Sequence, residues 1–397
     1  MIKKDTLIKI IGGRLITGDR ILANGSLLIK EGRITAIAPG DIEAPEALVI
    51  DARENYISPG FIDLHVHGGA GHDFMDNTVD AFLQIAKMHA SCGTTAMFPT
   101  TLTGPTEEII QTLDTYEKAC PLNESGAQFM GLHLEGPYFA MNQRGAQDPK
   151  WIRDPDPAEY EYILSSSKSI KRWSVAPELE GAIPFIQYVK GKGILPSMAH
   201  TDAIYEEVCM AFEQGCTLAT HLYSAMSGVT RRNGYRYAGA VESAFLIDEM
   251  NVEIIADGIH LPAPLLKLVC KIKGPGRIAL ITDAMRAAGM PPGESVIGPL
   301  HSGLRVIVED GVSKLPDRSA FAGSVATADR LVRTMTQLAA VSLPDAIRMI
   351  TQTPAEIMGI ADRKGSLGVG KDADIVIFDE GINIETTLIQ GKIVHQR

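Results

Sequence analysis

The chain has 397 residues, 45% of them hydrophobic, and a formal net charge of −11. At ~150 residues per domain that length suggests about two or three domains, although one α/β barrel can take most of it. The acidic balance, with no basic cluster, excludes a nucleic-acid binder of the usual kind, and no run approaches the ~18 apolar residues of a membrane span.

Cysteine usage and the N-terminus point the same way. Cys92, Cys120, Cys209, Cys216 and Cys270 are odd in number and scattered, with no CxxC. That pattern suits free thiols in a reducing, cytoplasmic compartment. The N-terminal MIKKDTLIKIIGG does not read as a secretory signal, because Asp5 and Lys9 break its short apolar stretch.

Taken in chain order, the first predicted element is a hairpin over LLIKEGRITAIAP (27–39), turning at Glu31-Gly32. FIDLHVH (61–67) follows as a β-favouring run. Strand alternation puts Asp63, His65 and His67 on one face, and Gly68, Gly69 and Gly71 end the run in a loop. Seven more strand-like runs recur: TTAMFPTT (94–101), QFMGLHLEG (128–136), SIKRWSVAPE (169–178), GILPSMAHT (193–201), CTLATHLY (216–223), VEIIADGIH (252–260) and RIALITDAM (277–285). Between them lie segments long enough for helices, among them DAFLQIAKMHASCG, IYEEVCMAFEQG and PAPLLKLVCKIKG; the last two stop at Gly. Eight alternations of strand and helix predict a closed (β/α)8 TIM-like barrel over 59–362.

The C-terminal DADIVIFD (372–379) and TTLIQGKIVH predict hairpin strands with a turn at Gln390-Gly391. Each end of the chain alone buries little, so residues 1–58 and 363–397 are expected to pair into one small β-sandwich domain.

Chemistry-bearing residues gather at the strand ends: His65 and His67, Thr100, Glu135, Glu178, His200, His221, Asp257 with His260, and Asp283. Barrel enzymes carry their active sites at that mouth. His200, His221 and Glu135 give two imidazoles and a carboxylate, leaving a position open for water on a zinc-like ion. His65 and His67 could hold a second ion bridged by Glu135, or be packed histidines. Asp283 is the candidate to take a proton from water and give it to the leaving group; the alternative is a helix N-cap. Asp63 is expected to support the paired histidines from behind. His72 and His133 read as structural, and Glu178 as orienting either water or a loop.

PGFIDLHVHG, the order His-His…Glu…His…His…Asp and the C-terminal GSLGVGKDADIVIFD resemble the amidohydrolase superfamily. HLEGPY (133–138), AHTDA (199–203), THLYSAM (220–226), ADGIHL (256–261), ITDAM (281–285) and FAGS (321–324) narrow the resemblance to the N-acetylglucosamine-6-phosphate deacetylases. It runs from about residue 8 to the C-terminus. Glu135 stands where many amidohydrolases place a carboxylated lysine.

The resemblance implies metal-dependent hydrolysis of an N-acetylated amino-sugar phosphate, with one or two divalent ions per subunit, zinc first and iron(II) second. It implies Glu135, His200 and His221 on the main ion and Asp283 as the proton carrier. It also implies His260 on the 6-phosphate, backbone near Ala225 and Ala322 on the substrate, and a homodimer in which Arg232 reaches the neighbouring site. Two positions depart from the family pattern. Ser224 replaces the Asn of HLYNAM. Gln147, in RGAQDP, stands where some members have a histidine that polarises the acetyl carbonyl; Gln can donate a hydrogen bond there but carries no charge. Other readings are the galactosamine epimer as substrate, a different amidohydrolase reaction on a cyclic amide, an acylated amino acid or a nucleobase, and a catalytically dead binding barrel.

Overall fold

A computed structural model describes residues 6–397; the first five residues of the N-terminal stretch discussed above lie outside the described residues. Eight parallel strands form the centre, labelled here β1 (Phe61–Val66), β2 (Thr94–Thr101), β3 (Leu132–Glu135), β4 (Ile170–Val175), β5 (Leu195–Met198), β6 (Leu218–Ala219), β7 (Asn251–Ile255) and β8 (Ile278–Ile281). Each pairs with the next in sequence. The closing seam between β8 and β1 is irregular. The backbone N–H of Asp283 donates to His65 O at 2.9 Å, that of His67 to Ala284 O at 2.9 Å, and the Asp63 carboxylate accepts from Thr282 N–H and Oγ1. Asp63 thus staples the barrel shut, and burial raises its carboxyl to about 6 despite the Thr282 bonds.

A helix follows every strand. The first, Val79–Ser91, starts because the Thr78 side chain accepts from Ala81 N–H at 3.2 Å, a cap worth about 1 kcal/mol. It lays Phe82, Ile85, Ala86 and Ala90 against the barrel; truncating the fully buried Phe82 to Ala should cost about 3–5 kcal/mol. The sequence did not reveal two inserts: a hairpin over Thr230–Tyr237 after β6 and a three-stranded antiparallel sheet over 293–314 after β8.

The two chain ends pair as expected, but in one continuous mixed sheet of eight strands rather than two separate layers. The sheet folds over its own core, in which Ile10, Leu27 and Ile29 meet Ile375, Ile377 and Leu388. The first hairpin meets the C-terminal segment where Ala373 N–H donates to Gly32 O. Both turns have two left-handed residues, Glu31-Gly32 (φ +52°, +77°) and Gln390-Gly391 (φ +46°, +73°), the geometry that matches strand twist in a tight hairpin. No helix among the described residues is long and apolar enough to cross a membrane.

Candidate metal centre at the barrel mouth

The strands are shorter than the sequence suggests, and the difference places the chemistry. His200, His221 and Asp283 each lie two residues past the ends of β5, β6 and β8, at Met198, Ala219 and Ile281. All three adopt left-handed backbone, with φ of +47°, +31° and +46°. Non-glycine residues rarely do this, and such strain gathers where side chains must be aimed. Glu135 ends β3 itself. The following Gly136 has φ +98°, and a Cβ there would stand 2.3 Å from Thr103 Oγ1, so HLEGP needs its glycine.

The six side chains converge. Glu135 Oε1 lies 2.9 Å from His221 Nε2, 3.2 Å from His200 Nε2 and 3.4 Å from His65 Nε2, while Oε2 lies 3.4 Å from His67 Nε2. One carboxylate therefore spans both histidine pairs. His65 Nε2 and His67 Nε2 are 3.1 Å apart, and Asp283 Oδ1 is 3.2 Å from His67 Nε2 and 3.6 Å from His65 Nε2. These separations match the about 3.3 Å expected between ligands bound at ~2.0–2.1 Å around one tetrahedral ion. Two donor sets that could hold an ion emerge, His65–Glu135–His221 and His65–His67–Asp283; His65 belongs to both, and His200 joins the first through its 3.2 Å approach to Glu135 Oε1. No helix starts after Asp283, and its carboxylate faces the histidines, which disposes of the N-cap alternative.

The charge balance asks for a cation. Burial alone would depress His65 and His67, yet Glu135 and Asp283 outweigh it and lift them to about 9 and about 10. Glu135 is held well below its ordinary value by the surrounding histidines against its own desolvation, and Asp283 is lowered by His65 and His67 in the same way. His221 is pushed down by burial, so it stays neutral and ready to donate a lone pair. Carboxylates that stay ionised in a dry pocket, among imidazoles that would otherwise hold protons, fit a divalent ion.

The surrounding residues divide by what they touch. His67 Nδ1 lies 3.2 Å from Thr100 O and His200 Nδ1 2.8 Å from Gln143 O, which turns each Nε2 to the cluster. Glu178 orients a loop: it accepts from Thr201 Oγ1 and Asp202 N–H, just past His200. His133 is structural, buried against Ser174 Oγ at 2.7 Å, and His72 belongs to a short strand paired with Gly69. Asp63 meets the His65 backbone, not its ring.

A cavity of about 530 Å³ opens over the donors, and Gln147, Ser224, Ala225 and His260 line it. Gln147 differs from expectation. Its amide is engaged at both ends, donating to Glu135 Oε2 at 2.8 Å and accepting from Thr103 N–H at 2.8 Å, so it holds the carboxylate in place. His260 Nδ1 is fixed by Asp257 at 2.8 Å, leaving Nε2 for a ligand. Ala322 does not line this cavity: it belongs to a buried apolar cluster with Met75, Met285 and Val306, while its neighbours Phe321 and Gly323 line it. Arg232 is exposed on the 230–237 hairpin, over the Tyr237 ring, and does not line its own chain's cavity. Arg144 went unnoticed in the sequence, although it opens the RGAQDP stretch; it is the one Arg or Lys lining this cavity among the described residues.

A family model described as the amidohydrolase family matches residues 56–394. The chain belongs to the amidohydrolase family. Within this family it is 34% identical to the N-acetylgalactosamine-6-phosphate deacetylase of Escherichia coli O157:H7, covering 96% of this chain and 97% of that protein. It is 33% identical to the N-acetylglucosamine-6-phosphate deacetylase of Bacillus subtilis (strain 168), over 96% and 95%. Its fold matches a variant of the N-acetyl-D-glucosamine-6-phosphate deacetylase of Mycobacterium smegmatis, solved in complex with N-acetyl-D-glucosamine-6-phosphate, with a TM-score of 0.90, 28% identity and coverage of 98% and 99%. The barrel and the sheet of the two termini are therefore shared architecture.

Proposed function

We propose that this amidohydrolase removes the acetyl group of N-acetyl-D-glucosamine 6-phosphate, giving D-glucosamine 6-phosphate and acetate. The observation that carries the reading is the convergence of four imidazoles and two carboxylates at one cavity, on a chain whose full-length relatives are named for this deacetylation. The galactosamine epimer is the second reading, favoured by the 34% identity to a protein named for it.

Glu135, His200 and His221 would hold one ion, and His65, His67 and Asp283 a second, with Glu135 between them. Zinc suits these nitrogen and oxygen donors, and iron(II) is the alternative. A bound divalent ion polarises a carbonyl and brings the pKa of its water towards ~7. Asp283, ionised by its histidine neighbours, accepts the proton as water oxygen attacks the acetyl carbon. It then passes that proton to nitrogen as the C–N bond breaks, and acetate and the free amine leave. Gln147 keeps Glu135 in register. His260 and Arg144 are the groups within the chain that can meet a phosphate, and guanidinium does so through paired bonds. Arg232, exposed on its hairpin, is read as completing the phosphate site of the neighbouring subunit in a homodimer. Five free cysteines fit a cytoplasmic enzyme.

The test is acetate release from N-acetylglucosamine 6-phosphate, its galactosamine epimer and the unphosphorylated sugars, before chelation, after chelation and after zinc is restored. Zinc-dependent release from a phosphosugar is expected, and the faster epimer names the substrate. No release from any of them by zinc-loaded protein would sink the reading.

A further inference from the structure

Beneath the metal donors the barrel interior holds an ion pair that the proposed chemistry does not use. Arg172 on β4 and Glu253 on β7 are both fully buried. The guanidinium is saturated: Nη1 and Nη2 both donate to the Glu253 carboxylate, Nη2 to Thr220 Oγ1 at 2.8 Å, Nε to Ser197 Oγ at 2.9 Å and Nη1 to Leu64 O at 3.3 Å. Burying such a pair is expensive, and apolar residues of similar volume often serve stability as well or better. Its retention calls for another purpose.

The neighbour of Glu253 supplies one. Glu253 Oε2 lies 3.7 Å from His65 Nδ1, and that nitrogen is buried with no hydrogen-bond partner. The other face of the same ring presents Nε2 to Glu135, His67 and Asp283. His67 and His200 have backbone carbonyls behind Nδ1; His65 alone faces a carboxylate. A separation of 3.7 Å is longer than a formed hydrogen bond, and a small turn of the ring toward Glu253 closes it.

We propose that the Arg172–Glu253 pair positions His65: Glu253, locked by Arg172, accepts a hydrogen bond from His65 Nδ1–H and so commits Nε2 to the metal shared with His67. Carboxylates behind a metal-bound imidazole fix its tautomer and orientation, and removing them commonly weakens metal binding 10- to 100-fold. The inference rests on the metal-centre reading above, which it deepens by assigning the two ions different supports.

The test compares full-length wild-type protein with a double variant, Arg172→Met with Glu253→Leu, which removes both charges and strands neither. Zinc affinity at each site is measured by competition with a chelator, and the His65 ring nitrogens are followed by 15N NMR in the zinc-loaded state. The expected result is about 10- to 100-fold weaker binding of the His65–His67 ion. The Glu135–His200–His221 ion should bind unchanged, and the His65 Nδ1–H signal should be altered. Arg172→Gln with Glu253→Gln also removes both charges, keeps polar groups for Ser197 and Thr220, is read in the same way, and keeps the test open if the first double variant fails to fold. Unchanged affinities, or equal loss at both sites, would overturn the positioning role and leave the pair purely structural. A wild-type chain that binds no zinc would overturn the metal reading and this inference together.

Discussion

The two halves of the donor cluster use the same residue type and behave oppositely. On β1, His65 and His67 face Glu135 and Asp283, and these carboxylates lift them to about 9 and about 10. Across the barrel, His221 has Glu135 on one side and His200 on the other, and burial pushes it down. Imidazole identity therefore does not set the role; the count of carboxylates around each ring does. The β1 half draws positive charge, as protons or as an ion, while His221 is ready to bind without first losing a proton.

The largest effect should come from breaking what the halves share. Glu135→Gln removes the one carboxylate among the described residues that touches all four histidines, so zinc content and acetate release should both fall to near zero; retention of both ions on metal analysis would refute the bridge. Asp283→Asn acts on the β1 half alone. It should lower kcat by about 10²–10⁴-fold while the ion on Glu135, His200 and His221 stays bound, and wild-type turnover would remove Asp283 from the reaction. Arg232→Ala lies outside both halves and serves as the control. It should leave zinc content intact and reduce preference for phosphorylated over plain sugar by about 10- to 100-fold, the worth of a charge-assisted bond of ~1.5–3 kcal/mol. Unchanged selectivity would contradict its assignment.

The smallest effect sharpens the comparison most. In the metal-free chain Glu135 and Asp283 raise His65 and His67 above the ordinary histidine value, so an incoming ion competes with protons at this pair, whose Nε2 atoms lie 3.1 Å apart. Zinc binding should release protons at pH 7, read by calorimetry in buffers of different ionisation enthalpy. Affinity should rise with pH through the 9–10 window and level off above it. Proton release from His65→Ala that matched wild type would show that the halves do not differ in this way.

Strand–helix alternation and both tight hairpins were legible because apolar period and turn residues are local properties. His65, His67, Glu135, His200, His221 and Asp283 stood out because polar groups closing apolar runs break the pattern. The same signal was available for Arg172 and Glu253, charged residues inside the runs IKRWSV and NVEII, but they lie within their strands rather than at the strand ends, and nothing along the chain pairs them.

By itself, then, the sequence determined the alternation, the turns and the list of candidate donors, since each follows from neighbours along the chain. Only the tertiary structure decided their partners. It set Asp283 beside His67, engaged Gln147 on Glu135, put Ala322 in a buried apolar cluster and set Glu253 behind His65. The physical reason is closure: these contacts join residues from different strands and loops, and only a closed barrel brings side chains on opposite walls within a few ångströms across a dry interior.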